Sequence, residues 1–306
     1  MAQLIKLKDY ISRYELDIYR YPSQYIRLKR EKWNKLYQSW TNGLNGNNDE
    51  NDNQEQSQKE SLLSKWNLFR KKKMQEPEID PVEELPVNEK DLRVHFLNQL
   101  YPFQLKWATS SLSYVSFMDQ QFNYDKNLKY FLQRFPDNYL LMYYPIFNIK
   151  KAPIDGEIIL ISPLQINIIH LLDDYADANI IVSDERTWIA EKDSQQSRFL
   201  SPIHALKRTE QLINSILKQK DISYSVKKTV IAKNNNLILQ QVPYNIEMVG
   251  NYEYDKWFKN MRELDTPLKS QQLKVAGQLL DFCMTSSVKR PEWEEGQDDF
   301  RTVGEE

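Results

Sequence analysis

Four side chains in the middle of the chain are of the types that act on phosphodiesters. Asp155 and Glu157 stand two residues apart at the entrance to an apolar run, Ile158-Ile159-Leu160-Ile161. His170 closes a second apolar run, Ile166-Asn167-Ile168-Ile169, and His204 follows Ser201-Pro202-Ile203. Paired carboxylates hold hard divalent cations, which polarise a phosphoryl oxygen and activate water. Asp155 and Glu157 are therefore the candidate metal ligands. Convergence of Asp155, Glu157, His170 and His204 would instead suit a softer ion such as Zn²⁺ or Mn²⁺. Each residue also has a plainer reading. Acids after Pro153 cap a strand entrance, a histidine beside Asp173 and Asp174 is paired or half-exposed, and a histidine in a first helical turn is solvated. The lone cysteine, Cys283, excludes an internal disulfide and a multi-cysteine zinc site. Its apolar helical surroundings make it a core thiol.

The elements that must position these groups follow from periodicity. Glu157–Ile161 and Ile166–Leu172 read as two strands of a hairpin turning at Ser162-Pro163-Leu164-Gln165. Ala178–Ser183 and Arg186–Glu191 read as another hairpin around Asp184-Glu185. Tyr139–Ile149 precedes them as an apolar, aromatic strand. Ser201-Pro202 supplies a hydroxyl and a first-turn proline for a helix whose stripe is Ile203, Leu206, Ile213, Ile216 and Leu217. Strands at Val226–Ala232 and Leu237–Val242 follow, then helices at Tyr252–Arg262 and from Thr266-Pro267 through Cys283. Upstream, helix is expected from Asp91 with Val94, Leu97, Leu100 and Tyr101 on one face, over Phe103–Phe117, and over Tyr124–Phe135.

The order strand, strand hairpin, helix, strand is that of metal-dependent nucleases of the PD-(D/E)xK type. Ile154-Asp155-Gly156-Glu157 through Ser162-Pro163, then Ile166 to Leu172, resembles the nuclease-related domain (NERD) family, whose pattern is Ile-Asp-His, an apolar strand, Gly-Pro, a second apolar strand and Glu-Thr-Lys. Ala178-Asn179-Ile180-Ile181-Val182, Trp188 and Ser201-Pro202-Ile203-His204-Ala205 resemble that family's hairpin, its tryptophan and the Asn-Pro-x-x-Gln opening its helix. The resemblance spans Asn138 to Ala232. It implies an α/β fold, a mixed-sheet restriction-endonuclease-like core extended by N- and C-terminal helices. It places Asp155 at the first acid, or Glu157 if one residue is inserted, His170 at the family's Glu, Leu172 at its Lys and Ala205 at its Gln. Leucine cannot orient water, and a neutral imidazole replaces a hard-metal carboxylate poorly. The resemblance thus implies a nuclease fold in a catalytically inactive, nucleic-acid-associated binding or regulatory protein, with no cofactor expected. The alternative is an endonuclease using Mg²⁺ or Mn²⁺ at a displaced site, with Asp155, Glu157 and His170 joined by a group such as Glu191 or Lys192. A third reading is a protein-interaction module.

Composition and charge bear on partners. Only 7 glycines in 306 residues disfavour glycine-cradled phosphate sites, and Tyr and Phe together number 30. Net charge is −2, yet Lys6 to Lys35 holds nine basic residues against four acidic ones, a local +5. Residues 1–40 read as a separable basic helical pair interrupted at Pro22, its second helix running from Ser23 to about Trp40. Arg27, Lys29, Arg30, Lys32 and Lys35 interleave with Trp33 and Tyr37, the mixture that contacts phosphates and stacks on bases. Arg70, Lys71, Lys72 and Lys73 add a second basic run. DNA or RNA is the expected partner on this reading, and a protein held by aromatic helices the other. Residues 41–90 read as a mostly disordered linker and 289–306 as an acidic tail, leaving 91–288 as the α/β domain. No long apolar stretch follows Met1, so no signal peptide or membrane span is expected and the location is cytoplasmic.

Overall fold

The computed structural model describes residues 1–46, 86–149, 152–173, 175 and 177–290. In chain order the elements are β1 (Gln3–Leu7), a 3-10 turn at Arg13–Glu15, α1 (Tyr21–Gly46), α2 (Glu89–Trp107), β2 (Tyr114–Val115), a 3-10 turn at Gln120–Asn123, α3 (Lys126–Arg134), β3 (Leu140–Tyr143), β4 (Ile146–Ile149), β5 (Ala152–Asp155), β6 (Ile158–Ile161), β7 (Gln165–Leu171), β8 (Asn179–Val182), β9 (Thr187–Lys192), β10 (Gln195–Leu200), α4 (Ile203–Gln219), β11 (Ser225–Ile231), β12 (Asn236–Leu239), β13 (Glu247–Val249), α5 (Asn251–Arg262), α6 (Ser270–Asp281) and β14 (Val288–Lys289). They form two compact units. One comprises Met1–Tyr25 and the described residues from Gln104 onward; the other comprises the described residues of Ile26–Phe103.

The first unit is mixed α/β. Its main sheet has the order β1-β3-β6-β7-β11-β13. β1 runs parallel to β3, β6 is antiparallel to both β3 and β7, and β7, β11 and β13 are parallel. Five strands therefore share one direction and β6 alone is reversed. The apolar runs are continuous because both faces are covered. Ile159 and Ile161 stand in register with Ile168 and Ile166, and Ile168 with Lys228. α4 lies on that face: the Glu157 N–H donates to Thr209 Oγ1 at 3.2 Å, and Lys228 pairs with Glu210. Gln272 of α6 donates to the Ile161 carbonyl at 3.0 Å. On the opposite face the Tyr143 hydroxyl donates to Asp125, the N-cap of α3, and α3 with its C-cap Phe135 meets α5 through tilted and edge-on rings. A separate sheet has the order β10-β9-β8-β12. Trp188 anchors it, wholly buried, its Nε1–H donating to the Asp184 carbonyl at 2.9 Å.

The edge of the main sheet at β1 is closed by a side chain. Gln104 Oε1 accepts from the Leu4 N–H at 2.8 Å, and its Nε2 donates to the Ala2 carbonyl at 2.5 Å. One amide thus supplies the donor and acceptor that a further strand would offer.

In the second unit, Trp33 of α1 packs on Phe96 of α2 with centroids 5.2 Å apart. The Trp40 Nε1–H donates to the Pro86 carbonyl at 2.6 Å.

Several expectations are corrected. Residues 3–7 are a buried strand and not helix, so residues 1–40 do not form a helical pair. Pro22 occupies the first turn of α1, where its missing N–H costs nothing, and does not interrupt a helix. α2 runs through Pro102 and stops at Trp107; Thr109 and Ser110 hydroxyls turn back to the Leu105 and Lys106 carbonyls, and 114–115 is strand. Val94 is exposed, while Leu92, Phe96 and Leu100 are buried. Tyr139–Ile149 is two strands broken at Tyr144, whose φ is 46°. β5, β10, β13 and β14 were not foreseen. Of the expected linker, 41–46 and 86–90 are described, and 41–46 with 89–90 are helical. The remaining linker, Arg70–Lys73 and the tail from 291 lie outside the described residues.

Candidate functional site

The β6–β7 register decides which candidates meet. Ile158 pairs with Ile169, so the next cross-strand position brings Glu157 beside His170. Glu157 Oε2 lies 3.0 Å from His170 Nδ1. The Glu157 side chain is 10% exposed and that of His170 27%, so the carboxylate is inside and the imidazole at the rim. The backbone of Glu157 is fixed by Thr209, whose hydroxyl accepts from its N–H and donates to the Ala205 carbonyl at 3.0 Å. The pair sits at the carboxyl edge of the parallel strands, where open α/β sheets place ligands. With Nδ1 facing a carboxylate, His170 is fixed in orientation and Nε2 is the ring atom left for other partners.

The remaining candidates are elsewhere. Asp155 is exposed at the end of β5, paired with Ile146 in the small β4–β5 hairpin. Gly156 separates the two acids for a steric reason. A Cβ there would stand 2.9 Å from Phe147 Cε2 and 3.0 Å from the Pro145 carbonyl oxygen. β5 ends just before this point and β6 begins just after it, with Asp155 exposed and Glu157 buried. His204 is exposed on α4. It acts electrostatically on Glu185, whose carboxyl is held below its usual range chiefly by Lys207, 2.8 Å away. Glu191 and Lys192 belong to β9 in the separate sheet, where Glu191 accepts from Gln196 and Lys192 lies 3.9 Å from Asp177. Among the described residues no three His, Cys, Asp or Glu side chains gather as metal ligands. The donor set at Glu157 and His170 is one carboxylate and one imidazole, of which only the carboxylate is an oxygen donor for a hard divalent cation.

Leu172 is buried at 6% exposure beyond β7, its N–H donating to the Ile231 carbonyl at 2.8 Å. The position that the resemblance gives to lysine is thus part of the core. A lysine does stand on this face one strand over. Lys228 of β11, 4% exposed, pairs with Glu210 of α4. Sequence reasoning passed over this pair, although two adjacent lysines inside Val226–Ile231, one of which must face the apolar helix, and an acid on that helix's stripe are a legible signal.

Two comparisons return no match: no family model fits the chain, and no solved structure resembles it. Over 40 residues the chain is 52% identical to an RNA 2',3'-cyclic phosphodiesterase of Geobacillus stearothermophilus. The match covers 13% of this chain and 13% of that protein.

The basic residues of α1 divide by exposure. Arg27, Arg30 and Lys35 are exposed, Arg27 lying 3.7 Å from Glu31. Lys29 and Lys32 are half-buried, and Lys32 Nζ stands 4.4 Å from the Phe103 ring centroid. The last two serve the packing of their own unit at least as much as any outside anion. No helix among the described residues is long and apolar enough to cross a membrane.

Proposed function

We propose that this chain is a nuclease-like protein without metal-dependent cleavage activity, and that it binds nucleic acid. The observation that carries the reading is the end of β7, where His170 is tied to Glu157 and Leu172 is buried. A water-activating lysine and a second metal carboxylate have no equivalents there. The order of the main sheet supports the restriction-endonuclease-like reading: a β3-β6-β7 meander, the crossing helix α4, then β11 parallel to β7. The exposed cations of α1 supply sequence-independent attraction for phosphates. The experiment is incubation of the full chain with plasmid and single-stranded DNA in Mg²⁺ or Mn²⁺, beside a salt-dependent binding curve. Intact DNA with salt-sensitive binding is the expected result. Cleavage abolished by Asp155→Ala or Glu157→Gln would overturn the inactive reading.

One observation favours a second reading. A carboxylate-oriented imidazole at a rim is also a general-base arrangement. The relative's name, RNA 2',3'-cyclic phosphodiesterase, suggests the substrate to try. Turnover of a 2',3'-cyclic nucleotide in the presence of a chelator, lost in His170→Asn, would establish it.

A further inference from the structure

Three cations converge on a pair of phenols outside the site described above. α3 and α5 each carry a tyrosine followed along the same face by an arginine: Tyr130 and Arg134 one turn apart, and Tyr254, Phe258 and Arg262 on successive turns. The Tyr130 and Tyr254 hydroxyls share a hydrogen bond. Tyr254 stacks on Phe258, with centroids 5.8 Å apart and planes 8° from parallel. The third cation comes from the turn after β11: Lys233 Nζ is 4.8 Å from the Tyr254 centroid and 5.9 Å from that of Tyr130. Arg262 lies 5.4 Å from the Phe258 centroid. Arg134 acts electrostatically on both phenols and Arg262 on Tyr130.

Arg134, Lys233 and Arg262 are all exposed, and among the described residues no carboxylate forms an ion pair with any of them. Asp255, exposed on α5, is the negative charge that reaches Tyr254. Burial holds both phenols in the neutral form, their ionisation pushed upward. Two hydroxyls joined by one hydrogen bond keep one O–H hydrogen for a further acceptor. Guanidinium forks, an ammonium and a phenolic O–H together match a phosphate diester. The location agrees. Lys233 lies just beyond the carboxyl end of β11, at the edge of the sheet that also carries His170, on the opposite face.

We propose that Arg134, Lys233 and Arg262, floored by Tyr130 and Tyr254, form a phosphate-binding site for single-stranded nucleic acid. The inference rests on the nucleic-acid reading above and adds to the cations of α1 a second surface with a defined phosphate site. The test is fluorescence anisotropy of a labelled oligouridylate with the full chain at several salt concentrations. The triple variant Arg134→Gln, Lys233→Gln, Arg262→Gln should weaken binding at low salt about tenfold or more and lower the salt slope by about 2, at about 0.7 per single-strand contact. Lys233→Arg should retain the affinity that Lys233→Gln loses, which keeps the test decisive if the triple variant folds poorly. A triple variant that melts and binds like the wild type would overturn the site. Binding lost only in Arg27→Gln, Arg30→Gln, Lys35→Gln would also overturn it, while leaving the nucleic-acid reading standing. A wild-type chain that binds no oligouridylate at low salt would sink both. Inorganic phosphate should compete only weakly; phosphate that binds as tightly as the oligouridylate would show a simple anion site and refute the polynucleotide assignment.

Discussion

Lys6 Nζ lies 2.6 Å from Glu15 Oε1, and the lysine side chain is wholly buried. The same ammonium donates to the Tyr10 carbonyl at 2.9 Å and to Thr285 Oγ1 at 3.0 Å, so all three of its hydrogens are used. Removing one member of such a pair strands the other. Glu15→Gln and Lys6→Met should each cost about 3 kcal/mol, and the double variant less than the sum. Urea unfolding of the four chains measures this; additive losses would show that the two groups act independently.

Gln104 should matter as much as a core residue. Gln104→Leu keeps the volume but removes the partners of the Leu4 N–H and the Ala2 carbonyl. An expected loss of about 3 kcal/mol follows from two buried backbone groups left unpaired. A melting temperature within a degree or two of wild type would mean that water or another group takes over.

Alkali should destabilise the fold through its buried phenols and thiol. Burial pushes the Tyr139 and Tyr224 hydroxyls up to about 12, raises Tyr14 and Tyr25 as well, and moves the Cys283 thiol up to about 12. Above pH 9 to 10 the unfolded chain loses these protons while the folded chain keeps them. Fewer protons on the unfolded state means that stability falls as pH rises. The urea midpoint should drop between pH 9 and 11, with part of the tyrosinate absorbance appearing only on unfolding. Cys283 should resist alkylation at pH 8 in the native state and react once unfolded. Full tyrosine titration in a folded chain would contradict this.

Charge reversal on α1 should separate packing from binding. Arg27→Glu, Arg30→Glu and Lys35→Glu alter exposed residues and should leave the melting temperature nearly unchanged while weakening any DNA complex. Lys32→Gln should do the opposite, losing up to about 1 kcal/mol with its contact to Phe103. Equal effects of both sets on stability would argue against the division. Deleting residues 1–40 is not a usable alternative, because β1 would go with them.

The hairpins were legible because their apolar runs are bounded by turn residues, and the β6–β7 register alone sufficed to bring Glu157 to His170. β1 was not legible. A strand buried on both faces has no alternation, and Leu4, Ile5 and Leu7 run into Tyr10, Ile11 and Tyr14 at spacings that fit a helix as well. The separation of Asp155 from Glu157 was not legible, because Asp155 closes the β4–β5 hairpin while Glu157 lies at the entrance to the main sheet, and a change of sheet between two residues leaves no local signal. The cluster at Arg134, Lys233 and Arg262 joins three elements far apart in sequence, so no local motif could announce it.

The sheet edge at β1 also constrains how the chain is made. Gln3–Leu7 hydrogen-bonds to Leu140–Tyr143 on one side and to Gln104 on the other. A growing polypeptide carries this apolar segment well before its strand partner exists, and cannot pair it in the sheet until synthesis has passed Tyr143. Through that interval Leu4, Ile5 and Leu7 are a sticky end. The basic residues Lys6 and Lys8 within and beside the segment are of the kind that guard such a run against self-association, and in the folded chain Lys6 is buried against Glu15.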